Sequence, residues 1–503
     1  MSKKIIEIRK NSYSDSVTLM SLSADIKKTE GIIEAVISIA TAMNKELLEK
    51  VGLSNDAVKE CSENDLVIAF ECEDVVERTD IVTLIDEKLK GSDEEQSEQQ
   101  VSYKTIKNAK QNNKDANMTV ISVPGEYAAR EAMIALKLGM NVMLFSDNVT
   151  IEDERRLKEY AHENELMVMG PDCGTAYINE TALCFANKIK NGTIGIVGAS
   201  GTGMQEIMVL IYKYGAGISN AIGVGGRDLT EHIGGIMLID GLRMLQADTR
   251  TKTIVIVSKV PVESVHKHIM KVIEDEISKP VVICYTTDKI MENQKNAVFA
   301  VSLKDAAEKA VAIDNDMGIA IQEEVYKSKK TVSSKYIRGL YCGGTLCSEA
   351  YYYVRNRFEN VHSNVSRYSE EQLEDVFTSQ GHTLLDLGDD IFTNGRPHPM
   401  IDPIVRLDRI LEESRKKETG VILLDFELGY GSHDDPVGAT IDTIREAISQ
   451  AASINNDIKF VAYVCGTDAD YQNKKEQEKY LREAGCIVAK SNIDAVKEAC
   501  RLI

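Results

Sequence analysis

The sequence predicts an α/β protein built on parallel sheets, with a small α+β region at its start. Three observations carry that prediction. From residue 118 onward, short apolar runs alternate with helical segments across turns marked by glycine. Two stretches of this alternation repeat one plan. The chain has 503 residues, more than one hydrophobic core organises, so three or four domains are expected.

Residues 1–95 form the α+β region. IIEI (5–8), SVTLMSL (16–22) and DLVIAFE (65–71) read as strands. IEAVISIATAMNKELLEKVG (33–52) reads either as one helix or as a strand followed by a helix. Residues 91–116 are polar with almost no aliphatic content and read as a linker. A second domain spans 96–190: the strand MTVISVPG (118–125), a helix ended by Gly139, the strand NVMLFS (141–146), another helix, and the strand and turn LMVMGPDCG (166–174). A third spans 191–330, opening on TIGIVGASGTGMQE and continuing through the strands NAIGVGG (220–226), TIVIVSKV (253–260) and PVVICY (280–285). A fourth spans 331–503, opening on IRGLYCGGT, with strands HTLLDLGDD (382–390), GVILLDFELG and KFVAYVC.

The third and fourth domains read as copies. Each opens with a strand, glycines and Gly-Thr-x-x-x-Glu entering a helix: Gly201, Thr202 and Glu206 in one, Gly344, Thr345 and Glu349 in the other. Each then places a strand ending in glycine and an acid, at 223–228 and 386–390; an insertion at 351–381 separates the two plans. Ligands of parallel sheets sit beyond the carboxyl ends of the strands, where the first helical turn leaves amide hydrogens unpaired and the peptide dipoles sum to a partial positive charge. Glycine lets the backbone approach an oxyanion there. Ser200, Gly201, Thr202 and Gly203, with Gly343, Gly344 and Thr345, are therefore candidate anion-binding residues. Neither turn has the lysine of a nucleotide P-loop, so a phosphate or carboxylate suits them better than a triphosphate with magnesium.

The loop FTNGRPHPMIDP (392–403) is the second constellation. It follows a strand end and is stiffened by Pro397, Pro399 and Pro403. Arg396 can fork onto an anion, and His398 can act as acid, base or orienting donor, with Asp402 beside them; Asn394 and Gly395 complete the binding candidates. The competing reading is a rigid connecting loop. Gly125, Asp172 and Cys173 are further candidates at strand-end turns, with Cys173 either a reactive thiol or a small buried filler. His433, Asp434 and Asp435 in GSHDDP read as helix-capping residues rather than as a metal site.

The formal net charge is −20, which sets aside nucleic acid and anionic membranes as partners. The ten cysteines include no Cys-x-x-Cys pair, and several lie in apolar strands, which suits a reducing cytoplasm. No metal and no cofactor is expected. The opening MSKKIIEIRK lacks the apolar core of a signal peptide, and no apolar run reaches membrane-spanning length.

Residues 118–285 resemble the α subunit of succinyl-CoA synthetase through VPG (123–125), MGPDCG (169–174), GIVGASGTGMQE (195–206) and GVGGRD (223–228), and the last domain is similar to the ligase domain of the β subunit. With YSDSVTLMS near the start and NGRPHPMIDP late, the whole chain resembles the FdrA family of acyl-CoA-synthetase-like proteins. The resemblance implies a Rossmann-like CoA-binding-type domain followed by two flavodoxin-like ligase domains. The phosphohistidine of the α subunit has no counterpart, because no histidine lies between His268 and His362, and the glycine-rich CoA fingerprint is absent from DLVIAFECEDVVERTD. For FdrA-type proteins the resemblance implies an oxamate carbamoyltransferase acting with partner subunits in allantoin and purine degradation. Its small anionic substrates are oxalurate, oxamate and carbamoyl phosphate. An NDP-forming acyl-CoA synthetase and a non-catalytic scaffold are the alternatives.

Overall fold

The computed structural model describes residues 2–10, 12, 16–27, 29, 31–62, 65–73, 78–94, 102–289, 291–317, 335–393 and 396–503. They form two compact units, Met1–Tyr103 and Lys104–Ile503.

The first unit runs β1 (Ser2–Arg9), α1 (Ser16–Lys27), β2 (Ile32–Ile39), α2 (Ala42–Lys50), α3 (Asp56–Lys59), β3 (Leu66–Glu73) and α4 (Arg78–Glu94). Its sheet is antiparallel in the order β1-β3-β2. The central strand β3 alternates between two cores: Leu66, Ile68, Phe70 and Cys72 pack with one cluster, Val67 and Ala69 with another. The expected strand at 16–22 is instead part of α1. Leu19, Leu22 and Ile26, three and four residues apart, enter one core together, so packing of a helical face overrides the local β-like run. The ambiguous segment 33–52 resolves into β2 and α2, with the Thr41 side chain accepting from the Asn44 amide at the boundary. The expected linker is helical at both ends, in α4 and in α5 (Ile106–Asn112); residues 95–101 lie outside the described residues.

The second unit opens with β4 (Met118–Ile121), α6 (Gly125–Lys137), β5 (Asn141–Leu144), α7 (Ile151–Glu163) and β6 (Val168–Met169), a parallel sheet in the order β4-β5-β6. The hairpin β7 (Thr175–Ile178) and β8 (Thr181–Cys184) leaves it and joins the edge of the next sheet. That sheet holds β9 (Asn191–Gly198), β10 (Ile218–Gly223), β11 (Thr253–Lys259), β12 (Val281–Thr286) and β13 (Ala297–Ala300). The helices between and after them are α8 (Gly201–Lys213), α9 (Ile236–Ala247), α10 (Glu263–Glu276) and α11 (Leu303–Asp314).

The last sheet repeats the layout. Its strands are β14 (Tyr336–Tyr341), β15 (Val361–Ser363), β16 (His382–Asp386), β17 (Thr419–Glu427), β18 (Lys459–Cys465) and β19 (Ile487–Val488). Its helices are α12 (Gly344–Arg355), α13 (Asp390–Thr393), α14 (Ile404–Ser414), α15 (Gly438–Ser453), α16 (Lys474–Glu483) and α17 (Asn492–Leu502). The strand orders are β13-β12-β11-β9-β10 and β19-β18-β17-β14-β16, the same flavodoxin-like arrangement. Of the expected insertion, residues 351–355 remain helical in α12, and β15 adds an edge strand beyond β16.

The two copies share one core, in which Ile207, Met208 and Ile211 of α8 join Ala350, Tyr351 and Val354 of α12. They also exchange helix caps. Glu206 of α8 accepts at Oε1 from the Asn492 amide at the start of α17, 3.1 Å away. Glu349 of α12 accepts at Oε1 from the Leu303 amide at the start of α11, 2.7 Å away. Each carboxylate thus completes the last helix of the opposite copy. Asn492 Nδ2 links the pair by donating to Glu349 Oε2 at 2.9 Å.

Candidate functional site

The two glycine turns meet. Ser200 caps α8, its Oγ accepting from the Gly203 amide at 3.1 Å, and the same Oγ lies 2.5 Å from Thr345 Oγ1 at the start of α12. The approach depends on glycine: a Cβ on Gly203 would sit 2.9 Å from Thr345 Cγ2, and one on Gly343 would sit 3.0 Å from Thr202 Cγ2. Two helix N-termini from matched positions of the duplication therefore converge on one junction. Ser200 and Thr345 are buried there.

Sequence reasoning missed the acids around this junction. At the end of β17, Asp425 accepts from the amides of Cys342 and Gly343 at 2.8 Å each. Arg406 of α14 lies 3.4 Å from Asp425 Oδ1. Glu427, 2% exposed, has its Oε1 without a hydrogen-bond partner and 3.0 Å from the point a Cβ on Gly343 would take. Burial, then the neighbouring Asp425 carboxylate, hold the Glu427 carboxyl well above the usual range, so it keeps its proton. Asp386, ending β16, accepts from the Gly388 amide at Oδ1 and places Oδ2 against Gly344. Burial above all pushes it up to about 7, with Asp389 and Asp425 adding and Lys259 opposing. The signal available was positional: DFE and LLD close apolar strands at their carboxyl ends, where ligands of such sheets lie.

The GRPHP loop reaches the same place through His398. Its Nδ1 accepts from the Met400 amide at 3.2 Å, which leaves the hydrogen on Nε2. Nε2 and the Cys342 carbonyl oxygen both lie against Gly388, and the ring packs near Phe185, centroids 6.1 Å apart. Burial lowers His398 to about 4, so at neutral pH it is an uncharged donor. Arg396 is exposed. Asp402 Oδ1 accepts from the Ile404 amide at 3.0 Å and opens α14. Asn394 and Gly395 lie outside the described residues.

The remaining candidates stand apart from this junction or are inert. Cys173 is fully enclosed, its thiol pushed up to about 12 by burial, with Sγ near the carbonyls of Thr175 and Gly223. That makes it filler. Asp172 adopts φ 55°; surrounding protein, then the carboxylates of Asp147 and Asp390, raise its carboxyl, while its open surface screens the effect. Asp435 Oδ1 accepts from the Gly438 amide at 2.9 Å and caps α15, and Asp434 accepts from the Tyr471 hydroxyl at 3.0 Å.

Three comparisons with known proteins bear on this geometry. The CoA-ligase family model matches residues 340–502, the CoA binding domain model residues 189–287, and a model described as AllF, heavy metal-associated domain, residues 1–105. The α subunit 2 of an ADP-forming succinate–CoA ligase from Archaeoglobus fulgidus is 32% identical over 174 residues, 33% of this chain and 58% of its own. Among solved structures, the apo dinucleotide-forming acetyl-coenzyme A synthetase 1 of Ca. Korarchaeum cryptofilum aligns over 77% of this chain and 83% of its own, at 15% identity and a TM-score of 0.32. Fold and site thus define an α/β protein of the succinyl-CoA synthetase type, with CoA-binding and CoA-ligase domains.

The Escherichia coli protein YahF is 43% identical over 501 residues, 98% of this chain and 97% of its own. The chain belongs to that FdrA-like family. No helix among the described residues is long and apolar enough to cross a membrane.

The relatives imply two groups, a heavy metal and CoA. A heavy metal does not fit the first unit. Its cysteines are Cys61, whose Sγ contacts the Ala57 carbonyl, and Cys72, buried on β3; among the described residues the unit has no cluster of three metal-ligating side chains. Among the described residues such a cluster occurs once, at Cys342, Asp425 and Glu427. Arg406 supplies the positive charge there, so the cluster holds a proton better than a second cation. For CoA, the turn after β4 packs closely against the following strand end, where a Cβ on Gly125 would lie 2.4 Å from the Asp147 carbonyl oxygen.

Proposed function

We propose that the chain is a subunit of a cytoplasmic oxamate carbamoyltransferase that converts oxalurate and phosphate to oxamate and carbamoyl phosphate. The observation that carries this reading is the 2.5 Å contact of Ser200 with Thr345, which makes one small polar junction from two helix N-termini. Such a junction suits small anions. The relay histidine of CoA ligases has no counterpart after β12, since no histidine lies between His268 and His362.

In this reading a phosphate oxygen attacks the ureido carbonyl carbon, the carbon–nitrogen bond to the oxamate nitrogen breaks, and the proton carried by hydrogen phosphate ends on that nitrogen. Amides and hydroxyls at Ser200, Gly201 and Thr202 hold the anion. His398 Nε2–H and Arg396 polarise the carbamoyl oxygen, and Glu427 and Asp425 relay the proton.

The test is phosphate-dependent formation of carbamoyl phosphate from oxalurate, by the chain alone and with the proteins that copurify with it. Activity that falls at least a hundredfold in Arg396→Ala and His398→Ala supports the reading. Absence of activity in every combination sinks it. The CoA-ligase and CoA binding domain matches favour a second reading, an NDP-forming acyl-CoA synthetase. Calorimetric titration with CoA separates the two: binding at micromolar concentration favours the ligase.

A further inference from the structure

The two turns are alike in backbone and differ in what fills them. At the first, Ser200 Oγ takes the Gly203 amide, and among the described residues no side chain takes the amides of Gly201 and Thr202. Lys259, ending the neighbouring strand β11, lies close enough to lower the carboxyl of Asp386. The first turn therefore offers free N–H groups, and the charge of Lys259 acts on the acid of the second turn.

The second turn is filled with the protein's own carboxyl groups. Asp425 already occupies the amides of Cys342 and Gly343. Asp386 Oδ2 lies 2.4 Å from the position a Cβ on Gly344 would take, and among the described residues no group donates to it. Glu427 Oε1 is buried, unpartnered and held against Gly343, on the side where Thr202 Cβ lies 3.1 Å from the same point. A buried polar atom left unpaired at a ligand junction marks a place where a partner is missing.

We propose that the turns divide the substrate between them: the first holds its anionic oxygens, and the second, through Asp386 Oδ2 and Glu427 Oε1, accepts N–H hydrogen bonds from a primary amide or ureide end. This rests on the carbamoyltransferase reading and sharpens it to a choice of substrate class. A carboxylate brought to the second turn meets the Asp386 carboxylate and offers no hydrogen, whereas an amide NH₂ donates to Asp386 Oδ2 in a charge-assisted bond and to Glu427 Oε1 in a neutral one. The difference expected for such a bond is about 10- to 100-fold in affinity.

Oxamate and oxalate differ in just this group, one carrying NH₂ where the other carries O⁻. Calorimetric titration of the full chain with each, and with inorganic phosphate, tests the division. Oxamate is expected to bind at least about tenfold tighter than oxalate. Asp386→Asn should bring that ratio close to one and leave phosphate affinity unchanged, while Thr202→Val should weaken phosphate and leave the ratio intact.

Equal binding of oxamate and oxalate by the unaltered chain overturns the division and leaves the carbamoyltransferase reading standing. So does an unchanged ratio in a folded Asp386→Asn protein. If circular dichroism shows that variant unfolded, Asp386→Glu, which keeps the charge but moves it by one methylene, must lose oxamate affinity selectively; loss of neither ligand overturns the proposal. Failure of all three probes to bind, with copurifying proteins present, overturns both readings.

Discussion

Replacing Glu349 by glutamine removes the ionisation of a carboxyl that the fold holds in an unfavourable place. Glu349 is 8% exposed and sits close to Glu206 across the duplication. Burial, with Glu206 adding, pushes its carboxyl up to about 7 against an ordinary 4.5. A folded-state value above the unfolded one means that the stability it allows is complete below about 4.5 and is lost as pH rises through about 7. At 1.36 kcal/mol per pH unit the full loss is about 3 kcal/mol. Glutamine does not titrate, so Glu349→Gln should gain about 3 kcal/mol relative to the unaltered protein between pH 4.5 and pH 7 and change little beyond. A pH-independent offset of about 1–2 kcal/mol runs the other way, because the glutamine NH₂ faces Asn492 Nδ2, which now donates to the carboxylate. Urea unfolding of both proteins from pH 4.5 to pH 8, in half-unit steps, measures the difference directly. A difference that stays constant with pH, or narrows in favour of glutamate as pH rises, refutes the reasoning.

Gly343→Ala places a methyl 3.0 Å from both Thr202 Cγ2 and Glu427 Oε1. Thermal unfolding should show a loss of about 1–2 kcal/mol, and phosphate affinity should fall about tenfold or more if the ligand uses this junction. Arg338 is fully buried on β14 and donates to Glu413 at 2.8 Å. Arg338→Met should cost about 3 kcal/mol in denaturant unfolding, the low end for a broken buried pair, because Arg409 and Lys416 each remain 3.0 Å from Glu413. Native alkylation at pH 8 should modify Cys61 and Cys184, which are half-buried, and spare the other eight cysteines; rapid labelling of Cys173 would contradict its enclosure.

The parallel sheets were legible because strand and helix alternate with glycine at the turns, and the duplication because Gly-Thr-x-x-x-Glu occurs twice in the same frame. SVTLMSL misled for a physical reason: over seven residues it shows apolar and β-branched side chains, and the helical face that decides it extends on to Ile26. The meeting of the two turns was not legible. Nothing local says that Ser200 and Thr345, 145 residues apart, share a hydrogen bond. The acids Asp386, Asp425 and Glu427 fell inside strand readings, where a terminal carboxyl looks like ordinary punctuation, and only the packing of β16 and β17 on either side of β14 turns them toward the junction. A second signature of the duplication, Ser302 with Asp305 and Ser491 with Asp494, is a pair of helix caps whose significance depends on the glutamates opposite them.

Those exchanged glutamates bind the history of the two copies together. Each half of the duplication ends in a helix whose first amide is answered by a residue encoded in the other half. A deletion that removed one copy would leave the survivor with a buried, unanswered backbone N–H as well as an exposed core. Substitutions at either glutamate are felt first in the opposite half. The copies are therefore free to specialise at their turns, but not to separate.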